Sequence, residues 1–267
     1  MVVDFVVFIV VLRVVALCRA YLKNMRMNLK DLISSFDVSG LLLSLSGTVL
    51  GVLFAMAEYY VDLTVALALI LTVVPMHIHM QTSGRWWMAV SVLCSLLAVY
   101  SSYGTLFSLE SLILLLFAYF IIRLAKGMGG RGRVSDGILT CFLKGPVALT
   151  GAYFLCTHSF PFWIFLFPSL SVGCLCAAAD GTQDRYSRHI LTVLIFTGVI
   201  LMTVFSFLRI FSPAHFLFLL VLPVFIYIIV RMYTKKEQTP DIYRPALSIS
   251  VFAFALLTGL GFIGHLL

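Results

Sequence analysis

Apolar residues along the chain fall into long runs of similar length, separated by short polar segments. After a polar and basic segment at 23–37, nine runs follow, at about 38–57, 61–80, 86–101, 106–125, 138–157, 161–179, 190–208, 213–231 and 245–267. Most are close to the ~20 residues that a helix needs to cross ~30 Å of hydrocarbon. They lack the alternating pattern of a membrane β-barrel. The pattern therefore predicts an all-α protein, a polytopic membrane helix bundle with nine transmembrane helices.

A further apolar segment precedes these runs. Residues 1–22 are mostly apolar, with Asp4 near the start and Arg13 inside. A signal peptide carries basic residues in front of its apolar core, whereas this segment begins with an acid. We therefore expect an extra N-terminal hydrophobic helix, which either spans the membrane or lies at its surface.

Composition supports a membrane location. Apolar residues make up 62% of the chain and charged residues 11%, whereas a soluble domain carries about 25% charged residues. There is no long polar stretch that would fold as a separate soluble domain, so we expect one membrane domain. The six cysteines lie in or at the ends of apolar runs and form no C-x-x-C pair. We interpret them as small apolar residues.

Basic residues are distributed very unequally between the two sets of loops. When the loops between the nine runs are assigned alternately to two sides, Arg209 is the only Lys or Arg in a loop of one side. Arg13 and Lys144 fall inside apolar runs, and all the other basic residues fall on the opposite side. Because cytoplasmic loops of membrane proteins are rich in Lys and Arg, this asymmetry supports nine main spans. It places the loop at 180–189 in the cytoplasm.

That loop carries the first candidate site. Asp180 and Asp184 lie four residues apart between two apolar runs, followed by Arg185 and Arg188. Carboxylates beside membrane spans are costly to remove from water, so such a pair favours a metal or a charged head group. On a helix the two carboxylates share a face. The alternative is a solvated loop in which Asp184 pairs with Arg188.

Lys144 lies about six residues inside its apolar run. Either its ammonium reaches back to the membrane surface, or it lines a cavity for an anionic group. Gly145 and Pro146 follow it and are expected to kink or open the helix. The glycine-rich loop at 126–136 contains Arg131 and Arg133, which suit a phosphate, although the same residues serve equally as a basic membrane anchor.

Histidines end the second main run. His77 and His79 lie within Met76–Met80, and Arg85 follows shortly afterwards. Met and His are the soft ligands that copper uses, but residues two apart lie on different faces of a helix. The alternative interpretation is an interfacial group of amphipathic side chains.

Two segments carry a resemblance to a known family: 132–153, which reads GRVSDGILTCFLKGPVALTGAY, and 180–184, which reads DGTQD. The first is similar to the glycine-rich loop and following helix of the 1,4-dihydroxy-2-naphthoate prenyltransferase (MenA) branch of the UbiA superfamily, and the second lies where that family has its second acidic motif. From about Asp31 onward the chain thus resembles the UbiA superfamily of membrane prenyltransferases, nearest to the MenA branch. The resemblance implies a UbiA-like membrane domain over 30–267, after the extra helix at 1–22.

The resemblance also implies an activity. Family members transfer a prenyl group from a prenyl diphosphate to an aromatic, quinone-precursor acceptor, with Mg²⁺ held by acidic motifs. Asp180 and Asp184 would be the catalytic and metal-binding residues here. Residues with a substrate-binding role would be Lys144, Arg131, Arg133, His77, His79, Arg85, Arg188 and Tyr153. Expected partners are these two substrates and membrane lipid, with no nucleic acid, and the expected location is the bacterial inner (cell) membrane.

The chain departs from the family pattern at the first acidic motif. The matching position holds Met76–Gly84, which contains no acid. In the second motif Gln183 and Arg188 stand where the family has an arginine and the outer aspartate. The alternative hypothesis is therefore a catalytically inactive UbiA-like protein that binds an isoprenoid or quinone lipid or scaffolds a partner. A transporter is a third class, which the sequence favours less because Lys144 is the only charge clearly inside a main run.

Overall fold

A computed structural model describes residues 37–82, 85–103, 133–160, 162–182, 187–209, 212–234 and 240–264. The predicted helix at 1–22 and the predicted span at 106–125 lie outside these ranges. All regular structure in the described part of the chain is helical, which confirms the predicted all-α class. The other predicted spans each coincide with a helical segment.

The elements follow one another in a simple order, which we label along the chain. They are α1 (Val38–Glu58), α2 (Leu63–Thr82), α3 (Arg85–Tyr103), α4 (Arg133–Phe142), a π-helical turn (Leu143–Val147), α5 (Ala148–Thr157), α6 (Phe162–Gly181), α7 (Arg188–Leu208), a 3₁₀ helix (Pro213–Val221), α8 (Leu222–Thr234), a short 3₁₀ turn (Pro240–Tyr243) and α9 (Arg244–Gly264).

Membrane-crossing capacity is not uniform among these helices. Within the described ranges, five helical segments are long and apolar enough to cross a membrane, namely Val38–Glu58, Gly137–Thr157, Arg188–Leu208, Pro213–Thr234 and Pro240–Gly264. Three apolar stretches are shorter, at Leu63–Ile78, Ala89–Ser102 and Leu166–Gly181. The chain is thus a helical integral membrane protein. Its described part has five candidate spans, which is fewer than the nine predicted.

The core lies where α1, α6, α7 and α9 meet. Its largest fully buried side chains include Leu50, Leu175, Phe205 and Phe254. Large apolar side chains such as Phe196, Ile200 and Leu220 are instead exposed on the outer surfaces of their helices. This distribution suits a bundle whose outer surface is in contact with lipid rather than water.

The continuous helix from α4 to α5 opens at one point. Pro146 has no N–H to donate to the carbonyl four residues earlier, and its ring would clash with that carbonyl in a regular helix. The chain passes through the π-helical turn Leu143–Val147 instead. Gly145 within this turn is buried against α6. The two helices approach so closely that a Cβ there would lie 2.2 Å from the Ser169 carbonyl oxygen. The predicted opening at Gly145–Pro146 therefore holds, and it brings Lys144 close to α6.

Candidate functional site

Charged side chains from widely separated parts of the sequence meet at one end of the bundle. We call Asp37, His77, Lys144, Asp180 and Arg244 the polar cluster. Lys144 Nζ lies 2.5 Å from Asp180 Oδ2, and Arg244 Nη2 lies 3.5 Å from Asp180 Oδ1. Arg244 Nη2 also lies 2.7 Å from Asp37 Oδ2. The cluster is therefore a continuous ion-pair network in which each carboxylate contacts at least one cation.

Helix ends and the π-helical turn supply these side chains. Asp37 caps the N-terminus of α1, where Oδ1 accepts the Gly40 N–H at 3.0 Å. Arg244 is the first residue of α9, and Asp180 is the last residue but one of α6. A charged residue at the end of an apolar helix keeps its head group near the membrane surface. The network therefore forms at one end of the bundle without charges deep in its core.

His77 joins the network through the backbone of Asp37. Its Nε2 donates a hydrogen bond to the Asp37 carbonyl oxygen at 3.1 Å, which ties α2 to the start of α1. Gly40 makes this approach possible, since a Cβ there would lie 2.8 Å from His77 Cε1 and 2.4 Å from Asp37 Oδ2. The histidine therefore lies beside the network and is held there by a hydrogen bond to the backbone.

The cluster is mostly shielded from solvent. The side chains of Lys144, Asp180 and Arg244 are 20%, 17% and 16% exposed. Asp37, which precedes the first span, is 29% exposed. Burial raises the pKa of Asp37, but the hydrogen bond from the Gly40 N–H and then the Arg244 guanidinium outweigh burial, and the net pKa lies below its usual value. Asp37 is thus an ionised partner of Arg244.

Two donors in this region remain to be satisfied. Arg244 Nε and Ser248 Oγ are both buried, and neither has a hydrogen-bond partner among the described residues. Ser248 lies one turn further along α9, so the two groups share a face of that helix. Buried polar groups are nearly always hydrogen bonded, and exceptions point to a function or a bound molecule. Arg244 Nε and Ser248 Oγ are therefore candidate donors to an acceptor oxygen of a bound molecule.

The donor set does not fit magnesium within the described part of the chain. Mg²⁺ requires several oxygen ligands in an octahedral arrangement. Both oxygens of Asp180 face cations, and both oxygens of Asp37 are engaged by Gly40 and Arg244. The described residues contain no group of three or more His, Cys, Asp or Glu side chains placed to hold a metal. Asp184, the second predicted ligand, lies outside the described ranges.

The structure describes the other predicted site residues only in part. Arg131 lies outside the described ranges, and of Arg133, His79 and Arg85 only the helical backbone is described. Arg188 is the first residue of α7. The structure thus brings together Lys144, Asp180 and His77 from the predicted set.

Tyr153 lies away from the polar cluster. It is nine residues beyond Lys144, about 14 Å along a helix axis. Its hydroxyl donates to Glu58 at the C-terminal end of α1. Arg209 Nη1 pairs with the same carboxylate at 2.7 Å. Arg209, the basic residue that the sequence assigns to the opposite side, is thus paired with Glu58 at the other end of the bundle. Tyr153 has a structural role there, because its hydroxyl donates to the same carboxylate.

Sequence reasoning missed Asp37 and Arg244 as site residues. Each stands directly before an apolar run, the first and the last of the nine. Charges of opposite sign at such boundaries need partners when they are shielded from water, so position and sign were the available signal.

Comparisons of the chain with protein-family models, with curated proteins and with solved structures find no match.

Proposed function

We propose that this chain binds a quinone-type isoprenoid lipid, with the head group at the polar cluster and the tail along the apolar helices. The observation that carries the proposal is the combination of a charge-balanced network with two buried donors, Arg244 Nε and Ser248 Oγ, that lack partners among the described residues. A quinone head group is neutral and offers carbonyl oxygens that accept such donors.

Charge balance favours a neutral head group over a diphosphate. Lys144 and Arg244 carry two positive charges, and Asp37 and Asp180 carry two negative charges. A diphosphate would have to displace a carboxylate from one of these cations, which leaves a shielded carboxylate without its partner at a cost of several kcal/mol. A carbonyl oxygen that accepts from Arg244 Nε leaves the ion pairs intact.

The membrane itself accommodates the isoprenoid tail. An isoprenoid chain is as apolar as the acyl chains around it, so it needs no enclosed cavity in the protein. Apolar side chains exposed on α7, including Val193, Phe196 and Ile200, offer a surface against which such a chain can lie. This arrangement leaves recognition to the head group.

A second candidate function is prenyl transfer from a prenyl diphosphate to an aromatic acceptor, within a nine-span UbiA-like domain. It is supported by the convergence of Lys144, Asp180 and His77 at one end of the bundle. The resemblance assigns Lys144 and His77 to substrate binding and Asp180 to catalysis and metal binding. In that case the Lys144–Asp180 pair would have to open when the diphosphate binds.

Thermal unfolding of the purified full chain in detergent tests these two candidates. A 2-methyl-1,4-naphthoquinone carrying two isoprene units should raise the unfolding midpoint. Ser248→Ala removes one proposed donor and should weaken binding about tenfold, as expected for the loss of one hydrogen bond of about 1.4 kcal/mol. The matched control is Ser250→Ala on the same helix, since Ser250 Oγ already donates to the Ala246 carbonyl and its removal should leave quinone affinity unchanged.

The same assay distinguishes the alternatives. Arg244→Lys keeps the positive charge but lacks Nε, so it should also weaken quinone binding. A quinone response that Ser248→Ala and Arg244→Lys leave unchanged would contradict the proposed site. Magnesium-dependent stabilisation by a prenyl diphosphate, together with prenylated product, would instead establish the transferase.

Membrane orientation is a separate part of the proposal. The asymmetry of basic residues favours the cytoplasmic face for the polar cluster, and the resemblance implies a bacterial inner membrane. Reporter fusions within 126–136 and 180–189 should therefore report a cytoplasmic location, and a fusion at residue 104 should report the outside. A cytoplasmic signal from the fusion at residue 104 would refute the nine-span arrangement.

A further inference from the structure

Two cysteines meet where α4 crosses α6. The helices approach so closely that a Cβ on Gly173 would lie 2.4 Å from the Cys141 carbonyl oxygen and 3.0 Å from Cys141 Sγ. Cys174 is the next residue, so its thiol belongs to the same helix crossing as that of Cys141. Both cysteines are free and half-buried. The crossing therefore brings two thiols from different helices close to each other.

This pair differs from the neighbouring Cys176. Cys176 is fully buried, and its thiol faces the Leu43 carbonyl oxygen of α1 at 3.5 Å. It therefore has the role of a small core residue, as the sequence predicts for all six cysteines. Two thiols that lie close together at a helix interface can be oxidised to a disulfide, which a single core thiol such as Cys176 cannot form.

The cysteine pair lies close to the polar cluster on both helices. Lys144 follows Cys141 by three residues, across the junction between α4 and the π-helical turn, so the two residues lie within about one helical turn of each other along the chain. Asp180 follows Cys174 by six residues, which is about 9 Å along the helix axis. A head group at the polar cluster is thus about one to two helical turns from the sulfur atoms.

We infer that Cys141 and Cys174 form a redox-active dithiol, which a quinone bound at the polar cluster oxidises to a disulfide. The inference rests on the proposed quinone binding. Two S–H bonds break and one S–S bond forms, and two electrons and two protons pass to the quinone. The quinone carbonyl oxygens become hydroxyls, so each disulfide yields one hydroquinone. The disulfide joins α4 to α6. It lies close to the ion pair between Lys144 of the π-helical turn and Asp180 of α6.

Thiol counting on the reduced full chain under anaerobic conditions tests this inference. The probe is 2,3-dimethyl-1,4-naphthoquinone, whose substituted ring carbons disfavour direct addition of a thiol. Alkylatable thiols should fall from the six of the sequence to four, with one hydroquinone formed per chain. Peptide mapping without reduction should show a 141–174 crosslink. Cys141→Ser and Cys174→Ser should each abolish the reaction, whereas Cys94→Ser, a half-buried cysteine of α3, should leave its rate unchanged.

Two further measurements separate failure of this inference from failure of the proposed function. If the isoprenoid quinone raises the unfolding midpoint but all thiols stay reduced, the dithiol reaction is refuted and quinone binding stands. If the quinone neither binds nor reacts, both are refuted, even where the general thiol oxidant diamide produces the 141–174 crosslink. Failure of diamide to crosslink Cys141 to Cys174 would contradict the proximity of their two thiols.

Discussion

Asp180→Asn should lower the free energy of unfolding by about 2–3 kcal/mol. The substitution keeps the size of the side chain but leaves Lys144 without a carboxylate and Arg244 with Asp37 alone. Breaking a buried ion pair from one side costs ~3–5 kcal/mol. The effect is smaller here because the paired side chains keep some exposure, at 20% and 17%. Chemical or thermal unfolding in detergent measures the difference.

A double-mutant cycle shows whether this cost comes from the pair. Lys144→Met together with Asp180→Asn removes the stranded cation, so the double variant should be more stable than Asp180→Asn alone. Asp241→Asn is the matched control, because this substitution makes the same change in charge. Asp241 is an exposed residue of the short 3₁₀ turn before α9. Equal effects of Asp180→Asn and Asp241→Asn would contradict the ion-pair network.

The apolar pattern was sufficient to locate the helices but not their internal geometry. The predicted run at 213–231 coincides with a helical segment, yet that segment begins as a 3₁₀ helix and becomes α-helical at Leu222. Pro223 explains the change, since it has no N–H to donate to Leu219 in an α-helical pattern. Hydrophobic runs record how many residues are apolar, and both helix types satisfy that requirement.

The candidate site was only half visible in the sequence for a different reason. Lys144 and Asp180 stand out individually, because charges are rare in and beside apolar runs. The pairing of Asp37 with Arg244 joins residues 207 positions apart, and no local pattern encodes such a contact. Only the packing of α1 against α9 brings them together. The meeting of Cys141 with Cys174 likewise depends on how α4 crosses α6.

Gly51→Ala should destabilise the protein by about 2–3 kcal/mol, through the crossing of α1 and the α4–α5 helix. A Cβ at Gly51 would lie 2.3 Å from the Leu149 carbonyl oxygen and 3.0 Å from Ala152 Cβ. At Gly47, one turn earlier, a Cβ would lie 2.2 Å from the Lys144 carbonyl oxygen. Glycines spaced by four on one face let membrane helices approach backbone to backbone. An added methyl group has no free volume there, and overpacking typically costs ~1–3 kcal/mol.

Gly151→Ala provides the matched control for this effect. Gly151 lies in α5, and a Cβ there would have no neighbouring atom within 4 Å among the described residues. The same chemical change should be neutral or slightly stabilising at that position, since alanine favours helix by ~0.5–1 kcal/mol over glycine. Because Lys144 belongs to the crossing, Gly47→Ala should in addition weaken quinone binding, whereas Gly151→Ala should not. If Gly51→Ala and Gly151→Ala were equally stable in detergent unfolding, the close approach of α1 to α5 would be wrong.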